Sequence, residues 1–477
     1  MIQLSNFKNK TIAVLGLGKS GSAAALALKA GGAEVWAWDD HAETRTAAAA
    51  RGIPLVDLYG CDWQAPECLV LSPGIAHDKP APHPLTILAR RAGCKIIGDM
   101  ELLGRAGLKA RVLGITGTNG KSTTTALIGH ILAQAGHRVQ VGGNIGTPVL
   151  ALESLDEAGF YVLEMSSYQL ETTSSLRSEV AILLNISPDH LERHDGMEGY
   201  IAAKRRIFDR TGKPKTVVIG VEDATCRGLY DELRSSKQPV IAISGGDEVA
   251  GGVYVLDGRL YDDMEAKRRL VLDLRGLARL PGAHNWQNAA AAYASCRCLG
   301  LAVEEIAAGL TSFPGLSHRQ ELLAVIDGIA YVNDSKATNP DAAAKALACY
   351  KRIFWIAGGR AKDAELAEIE PHLSQVVHAF LIGEAQNLFA EALQGHTDFT
   401  LCGDLTGAVA AAQEDAKAAL EQEARPTPVV LLSPACASFD HYRNFEVRGD
   451  AFRELVAALP GTRGGLATPS DLLGVGA

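Results

Sequence analysis

The sequence lacks the features that mark a membrane-spanning or nucleic-acid-binding protein. No run of about 18 or more apolar residues occurs in the 477-residue chain, so we expect no membrane span. The formal net charge is −9 and like charges form no long block, which argues against nucleic acid or an anionic membrane as a partner. An anionic small-molecule substrate would therefore need a local basic site.

The cysteine pattern excludes two further classes of protein. Nine cysteines are scattered along the chain, and none forms a CxxC pair followed by a second such pair. In a chain of this length the pattern is typical of reduced thiols and not of a disulfide framework. It predicts a cytoplasmic protein without a structural zinc site.

Length and alternation predict three α/β domains. At about 150 residues per domain, 477 residues suggest roughly three, and 47% hydrophobic with 21% charged residues is a globular composition. Short apolar strands alternate with helical patterns, which is typical of mostly parallel sheets. We expect a Rossmann-like N-terminal domain, a central P-loop-type ATPase domain and a C-terminal Rossmann-like domain. The predicted boundaries are 1–98, 99–315, 316–460 and a loose tail at 461–477.

The most informative stretch is a glycine loop between a strand and a helix. The apolar strand 112–115 leads into Gly117-Thr118-Asn119-Gly120-Lys121-Ser122-Thr123, and a helical pattern follows. Glycines let backbone amides approach an anion, the helix start favours negative charge, and a lysine and a hydroxyl can reach phosphates and Mg²⁺. The spacing departs from the generic P-loop, with five residues between Gly114 and Gly120. The alternative is an ordinary glycine-rich turn, but the context favours binding of a nucleoside triphosphate.

A second glycine turn opens the chain. Strand 11–15 precedes Gly16-Leu-Gly18-Lys19-Ser20-Gly21, and the next strand ends at Asp39. This spacing is typical of a dinucleotide-type fingerprint, in which the acid binds a ribose hydroxyl. A turn without a ligand is the alternative. An NAD-dependent dehydrogenase would also account for this turn, but it would leave the loop at Lys121 unexplained.

The central segment holds two candidate metal ligands of unequal strength, Glu164 and His190. Glu164 ends a strand beside the phosphate loop, where a Mg²⁺-binding acid belongs, although it is equally placed for a helix N-terminus. His190 and His194 are four apart, but they lack the H-E-x-x-H pattern of a zinc helix. From pattern alone, Lys204 is one more lysine on a helix.

Three strands of the last segment end in polar loops. They span 329–332, 353–357 and 429–432, and the loops carry cations and hydroxyls. Ligands of open α/β sheets bind at such carboxyl edges. A triphosphate loop and a separate cationic domain suit phosphoryl transfer to a carboxylate followed by attack of an amine.

Several motifs resemble the Mur ligases of peptidoglycan synthesis over nearly the whole chain. Two of the motifs, those that begin at Asn333 and Leu432, are most similar to family members that add D-glutamate to UDP-N-acetylmuramoyl-L-alanine. The motifs are Thr116-Gly-Thr-Asn-Gly-Lys-Ser-Thr123, Glu164-Met-Ser-Ser-Tyr-Gln-Leu-Glu171, His284-Asn-Trp-Gln-Asn288, His318-Arg319, Leu432-Ser-Pro-Ala-Cys-Ala-Ser-Phe-Asp440 and Asn333-Asp-Ser-Lys-Ala-Thr-Asn339.

The resemblance implies a role for each matching residue. It implies ATP and two Mg²⁺ ions as cofactors, with Lys204 carbamylated so that it becomes a carboxylate-like anion, and Lys121, Glu164, His190 and Lys204 as the catalytic set. The metal ligands would be Ser122, Glu164, His190 and Lys204. ATP would bind Gly117, Thr118, Asn119, Gly120, Lys121, Ser122, Thr123, Asn288, Arg319 and Asp334. The uridine nucleotide would bind Gly18, Lys19, Ser20, Asp39, Ser72, Pro73, Gly74 and Asn144. D-Glutamate would bind Lys336, Thr338, Lys362, Ser438, Phe439 and Phe445.

Rival interpretations are weaker. A diaminopimelate- or lysine-adding ligase of the same family would carry Asp-Asn-Pro-Arg, which is absent. Folylpolyglutamate synthase shares the phosphate loop but lacks the leading glycine-turn domain. A non-catalytic nucleotide-binding regulator would not need the polar loops of the last segment. The expected enzyme is a monomeric ligase acting on small molecules.

Overall fold

Three mostly parallel sheets form the framework of the protein. A computed structural model describes residues 1–209, 214–277, 279–361, 366–422 and 426–464. The sheets contain four, nine and seven strands, with helices between the strands. The predicted α/β class with three sheet-containing regions is therefore confirmed. Lys362 and most of the predicted tail, from residue 465 onward, lie outside the described residues.

The first sheet is fully parallel and has the strand order β2-β1-β3-β4. Its two inner strands are continuous apolar runs buried on both faces, as parallel strands between helices require. The strands are β1 (Thr11–Leu15), β2 (Glu34–Trp38), β3 (Cys68–Leu71) and β4 (Lys95–Ile97). The helices are α1 (Lys19–Ala30), α2 (Ala42–Ala50), α3 (Pro84–Arg91) and α4 (Asp99–Arg105).

In the second sheet the phosphate loop follows β5, the third strand from one edge of the nine. Around that loop the strands are parallel in the order β9-β8-β5-β7-β6, so the carboxyl ends of five strands share one edge. The strands are β5 (Arg111–Thr116), β6 (Val139–Gly143), β7 (Phe160–Glu164), β8 (Val180–Leu183), β9 (Thr216–Gly220), β10 (Val240–Ser244), β11 (Val253–Leu256), β12 (Arg259–Asp262) and β13 (Arg269–Asp273).

Helices α5 to α11 accompany this sheet. They are α5 (Lys121–Gln134), α6 (Ser167–Glu171), α7 (Leu191–His194), α8 (Met197–Arg205), α9 (Ala224–Ser235), α10 (Ala283–Cys298) and α11 (Val303–Ser312). The first turns of α10 are polar. The helix begins at Ala283, directly after Gly282 with φ +82°, so the amides of Asn285 and Asn288 lie inside its first turns.

The third sheet has the order β18-β17-β16-β19-β15-β14-β20, with β14 and β20 antiparallel to their neighbours. On β16, Phe354 and Ile356 pack into one apolar cluster while Trp355 and Ala357 pack into another, so both faces are buried. The strands are β14 (Glu321–Ile326), β15 (Ile329–Asn333), β16 (Ile353–Gly358), β17 (Val376–Ile382), β18 (Asp398–Gly403), β19 (Val429–Leu432) and β20 (Arg463–Gly464). The helices are α12 (Pro340–Leu347), α13 (Gln386–Leu393), α14 (Leu405–Gln422) and α15 (Phe445–Ala458).

The chain divides into two compact units. The first comprises Met1–Tyr254, Tyr261–Arg269 and Gln287–Leu310, and the second comprises Val255–Leu260, Leu270–Trp286 and Thr311–Ala477. The first sheet and strands β5 to β10 thus lie in the first unit, whereas β11 to β13 are divided between the two units. The three-domain boundaries at residues 98 and 315 stay predictions. Within the described ranges, every helix is too short or too polar to cross a membrane.

Candidate active site

Two glycines shape the phosphate loop between β5 and α5. Gly117 has φ +152° and Gly120 has φ +83°, and Gly120 is the residue directly before α5. A Cβ atom on Gly120 would lie 2.2 Å from Oδ1 of Asn288. Only glycine fits this position, because the left-handed backbone and the close amide both exclude a side chain. Asn288, predicted to bind ATP, is thereby packed against the loop.

Three residues predicted for the phosphate site form direct hydrogen bonds there: Lys121, Ser122 and Glu164. Nζ of Lys121 donates to the carbonyl oxygens of Gly117 at 2.9 Å and Thr118 at 2.7 Å. Oγ of Ser122 donates to Oε2 of Glu164 at 2.6 Å, and Glu164 is only 2% exposed. A buried hydroxyl and a buried carboxylate are both hard oxygen donors, the type that Mg²⁺ prefers.

Glu164 is a strand residue and not a helix cap. It is the last residue of β7, whereas the cap of α6 is Ser166, which forms a capping box with Gln169. Its second carboxylate oxygen accepts from Nδ2 of Asn144 at 2.9 Å. Asn144, predicted to bind the uridine nucleotide, therefore lies directly beside the predicted metal ligand.

Lys204 is a buried amine near the charge of Lys121. Its side chain is 1% exposed, its Nζ donates to the carbonyl oxygen of Gly117 at 2.7 Å and lies 4.5 Å from the ring of Tyr200. Burial, together with the charge of Lys121, holds the pKa of Lys204 well below its usual value. The structure thus favours a neutral amine at this position, which is the form that reacts with carbon dioxide.

His190, predicted as a metal ligand, has an exposed side chain. It precedes α7 with φ +53°, its side chain is 42% exposed, and its Nε2 lies 3.5 Å from the carboxylate of Asp189. Across the described ranges, no three His, Cys, Asp or Glu side chains converge so as to hold a metal. A second metal set made of His190 and carbamylated Lys204 stays a prediction.

The loop is also held by a polar network that the sequence did not indicate. Asn185, just after β8, accepts from the backbone N–H of Asn119 at 2.8 Å and donates to its carbonyl oxygen at 3.3 Å. Nδ2 of Asn185 also reaches Oε1 of Gln287 at 3.2 Å, and Gln287 donates to Glu222 at 2.8 Å. Asn185 lies in no quoted motif, and Gln287 lies in the motif His284–Asn288 without a predicted role, so only the folded chain reveals these contacts.

The N-terminal glycine turn is closed by predicted nucleotide-binding residues. Oδ2 of Asp39 accepts from the backbone N–H of Leu17 at 2.8 Å, which fixes the turn. Oγ of Ser72 donates to the carbonyl oxygen of Gly16 at 2.9 Å, and a Cβ on Gly16 would lie 2.8 Å from Cβ of Ser72. The residues Gly18, Lys19 and Ser20 form the start of α1, with Gly18 as its cap. Pro73 and Gly74 follow Ser72 in the turn after β3.

In the second unit, two predicted D-glutamate residues meet. Nζ of Lys336 lies 3.9 Å from the ring centroid of Phe445, and the backbone N–H of Thr338 donates to the carbonyl oxygen of Lys336 at 2.8 Å. Ser438 is buried, whereas Phe439 is 63% exposed. An exposed aromatic side chain at a loop of cations and hydroxyls is a surface available to a ligand.

A buried arginine that the sequence did not single out joins these loops. Arg448 on α15 is 1% exposed and donates from Nε to Oγ of Ser335, and from Nη2 to the carbonyl oxygens of Ser335 and Cys436, at 2.9–3.0 Å. Burial lowers its pKa to about 10. Its Nη1 has no hydrogen-bond partner in the part of the chain that the structure describes. No sequence signal distinguishes this arginine from a surface arginine on a helix.

Asp334, predicted to bind ATP, is a buried acid at the end of β15. It accepts from Oγ of Ser433 at 2.8 Å and from the backbone N–H of Gln320 at 3.2 Å, and Arg319 is among the charged groups around it. Burial raises its pKa to about 7, although these hydrogen bonds and Arg319 oppose the rise.

Comparison with known proteins identifies the family. Residues 115–296 match the Mur ligase middle domain, and residues 318–436 match the Mur ligase glutamate ligase domain. The UDP-N-acetylmuramoylalanine--D-glutamate ligase of Rhodospirillum rubrum is 51% identical over 97% of this chain and 98% of its own. The chain belongs to the Mur ligase family. The protein of the same name from Caulobacter vibrioides is 48% identical over 98% of this chain and 99% of its own.

Solved structures agree on the fold of this Mur ligase. The UDP-N-acetylmuramate-alanine ligase of Thermotoga maritima matches with a TM-score of 0.56 at 18% identity, over 94% of this chain and 99% of that chain. A pseudomurein peptide ligase type C from Methanothermus fervidus matches with a TM-score of 0.53 at 17% identity and similar coverage. The expected family and the use of ATP, which is typical of Mur ligases, are confirmed. The substrates of such ligases are small molecules.

Proposed function

We propose that this chain joins D-glutamate to UDP-N-acetylmuramoyl-L-alanine with hydrolysis of ATP to ADP and phosphate. The observation that carries the proposal is the buried contact between Ser122 and Glu164 beside Lys121 and Lys204, in a chain about half identical to ligases of that name over nearly its full length. The reaction forms an amide in peptidoglycan precursor synthesis.

In the first step, a carboxylate oxygen of the L-alanine attacks the γ-phosphorus of ATP. The bond from that phosphorus to the bridging oxygen breaks, ADP leaves, and an acyl phosphate forms. Activation is needed because a free carboxylate is a poor electrophile. The amides of Gly117 to Gly120 and the start of α5 bind the phosphates, and Lys121 exchanges its bonds to loop carbonyls for phosphate oxygens.

The residues around Glu164 suit Mg²⁺. Ser122 and Glu164 would hold one Mg²⁺ ion, and His190 would hold a second. Carbamylated Lys204 would serve as a further anionic ligand. Bound Mg²⁺ neutralises charge that develops on the transferred phosphoryl group. The depressed pKa of buried Lys204 supports the carbamate, since only the neutral amine adds carbon dioxide.

In the second step, the amine of D-glutamate attacks the acyl carbon. A tetrahedral intermediate forms, and the nitrogen loses a proton. The bond from carbon to the phosphate oxygen then breaks, and phosphate leaves. Lys336 and Thr338 would bind the carboxylates of the amino acid, with Ser438, Phe439 and Phe445 around it and Lys362 as a further cation.

The nucleotides are assigned to separate loops. Besides the phosphate loop with Thr123, ATP would contact Asn288, Arg319 and Asp334. The uridine nucleotide would occupy the turns that carry Gly18, Lys19, Ser20, Asp39 and Ser72 to Gly74. The carboxylate of its L-alanine would lie beside Asn144. The glycine turn would thus bind UDP and not NAD.

The decisive experiment measures phosphate release from ATP with Mg²⁺ and UDP-N-acetylmuramoyl-L-alanine. D-Glutamate, L-glutamate and diaminopimelate are compared as the amino acid. We expect release with D-glutamate alone. Release with a different amino acid would contradict the assignment of the second unit, and release with none would contradict ligase activity.

We further propose a monomeric, cytoplasmic enzyme. All nine cysteines, each within the described residues, are free thiols, which suits a reducing compartment. Light scattering during size-exclusion chromatography should give a mass near the 50.4 kDa of one chain. A mass of about twice that value would contradict the monomer.

A further inference from the structure

Arg193 joins two parts of the first unit that the proposed mechanism leaves unconnected. It lies on α7 and is 8% exposed. Its Nη1 donates to the carbonyl oxygen of Lys79 at 2.6 Å, its Nη2 donates to that of Ile75 at 3.2 Å, and its guanidinium lies 5.0 Å from the ring of Tyr168. Both carbonyls belong to the turn 72–80 after β3, which begins with the proposed uridine-nucleotide residues.

A second, partly buried charge contacts the same turn. Glu171, at the end of α6, lies 3.1 Å from Nε2 of His77 and 2.8 Å from Nδ1 of His194. The side chain of His194 is fully buried, and its Nε2 lies 2.9 Å from Oγ of Ser167. Burial raises the pKa of Glu171, but hydrogen bonds with His194 and His77 outweigh that effect and hold it at about 2. Glu171 is therefore an anion that bridges the turn and α7.

The turn is fixed at its other end by the N-terminal glycine turn. Oγ of Ser72 donates to the carbonyl oxygen of Gly16, and the backbone N–H of Ile75 donates to that of Ser72 at 3.0 Å. The turn 72–80 therefore connects the glycine turn to α6 and α7. Those two helices follow directly after Glu164 and His190, the two proposed metal ligands. Burial of the Arg193 cation costs desolvation free energy, which its two hydrogen bonds to the turn offset.

We propose that Arg193 and Glu171 are positioning residues that hold the turn 72–80 against α6 and α7. In this position the turn fixes the uridine nucleotide so that its carboxylate meets the phosphate loop. The inference rests on the proposed function, because it takes Ser72 to Gly74 as part of the nucleotide site. A displacement of about 1 Å at such a distance from the chemistry can reduce rate about a hundredfold.

The test compares Arg193→Ala and Arg193→Lys with the native chain. Isothermal titration measures the Kd of UDP-N-acetylmuramoyl-L-alanine, and steady-state kinetics give KM for each substrate. For Arg193→Ala we expect the Kd of the nucleotide to rise about tenfold to a hundredfold and kcat to fall, with KM for ATP within about twofold of native. Arg193→Lys keeps the charge but cannot fork to two carbonyls, so it should be intermediate.

A matched control separates positioning from general loss of stability. Arg352 also donates to two backbone carbonyl oxygens, those of Ala419 and Pro426, but it lies in the second unit. Arg352→Ala should lower the melting temperature while leaving the Kd of the nucleotide unchanged. If Arg193→Ala does not fold, Arg193→Lys alone decides the point by the ratio of its nucleotide KM to its ATP KM.

A double variant tests whether the two charges act together. Glu171→Gln removes the anion between His77 and His194 and should raise the Kd of the nucleotide about tenfold or less. In the double variant with Arg193→Ala, the rise in the Kd of the nucleotide should be smaller than the product of the two single rises, because both residues hold the same turn. A native Kd in Arg193→Ala and Glu171→Gln would overturn the inference. Absence of nucleotide binding by the native chain would instead contradict the proposed function.

Discussion

The phosphate loop and the D-glutamate loops differ in how their predicted residues are held. In the first unit the predicted residues bind one another, as Ser122 binds Glu164 and Glu164 binds Asn144. In the second unit the predicted loops are joined by Arg448, which no motif indicates. Predicted residues of the phosphate site thus contact one another directly, whereas the D-glutamate loops are joined by a residue outside the predicted set. The following predictions test this difference, from the largest expected effect to the smallest.

Removal of Lys204 should have the largest effect. Lys204→Ala deletes the group proposed to become a carbamate anion, so turnover should fall by about a thousandfold or more, as for loss of a preorganised charged group. Phosphate release with all substrates present measures this. Small carboxylates such as acetate should restore part of the activity, because they can occupy the space of the carbamate.

A surface lysine gives the control for that variant. Lys215, paired with Glu179 at 2.8 Å and largely exposed, is removed in Lys215→Ala, which should retain native turnover. Full activity of Lys204→Ala would show that turnover does not depend on the buried lysine.

Substitution of Arg448 tests the second unit. Arg448→Lys keeps a positive charge but cannot donate to Ser335 and Cys436 together, so KM for D-glutamate should rise about tenfold to a hundredfold. KM for ATP should change less than about twofold. Arg453→Lys on the same helix, where the side chain is partly exposed and pairs with Glu321, is the control. Equal changes in both KM values would contradict a role confined to the D-glutamate loops.

Two glycines with the same backbone angle separate strain from steric conflict. Gly120 has φ +83° with Asn288 at 2.2 Å from a Cβ position, and Gly136 at the end of α5 has φ +84° with open space around it. Each alanine variant should lose about 1–2 kcal/mol of stability through its left-handed backbone. Only Gly120→Ala should also raise KM for ATP, by about tenfold, since Asn288 must move. A raised KM in Gly136→Ala would show that the effect is global.

The last prediction concerns the dependence of stability on pH. The pKa of buried Asp334 is raised to about 7 from 3.8, so the folded state holds its proton longer than the unfolded state. This contribution to stability is full below about pH 4 and is lost as pH rises towards 7, with a slope of at most about 1.4 kcal/mol per pH unit. Asp334→Asn removes this titrating group, so the melting temperature of the variant should rise relative to that of the native chain as pH increases.

Calorimetry from pH 4 to 8 makes this comparison. Asp398→Asn, on the exposed edge strand β18, controls for the removal of one carboxylate. A constant difference between Asp334→Asn and the native chain across this range would contradict a raised pKa for Asp334.

The sequence predicted the α/β framework because alternating strands and helices leave a strong local pattern. It predicted the phosphate loop because glycine, lysine and serine at a strand end have few other uses. Lys204 was visible only through resemblance, since burial comes from tertiary packing that one lysine on a helix does not reveal. Asn185, Arg193 and Arg448 were missed for the same reason: each acts on backbone groups far away in the chain.

The central claim is ligation through an acyl phosphate, and one isotope measurement tests it directly. UDP-N-acetylmuramoyl-L-alanine labelled with ¹⁸O in its alanine carboxylate is incubated with ATP, Mg²⁺ and D-glutamate, and the products are analysed by mass spectrometry. The account predicts that one ¹⁸O atom appears in the released phosphate for each amide bond formed with D-glutamate. Unlabelled phosphate accompanying the amide would contradict it.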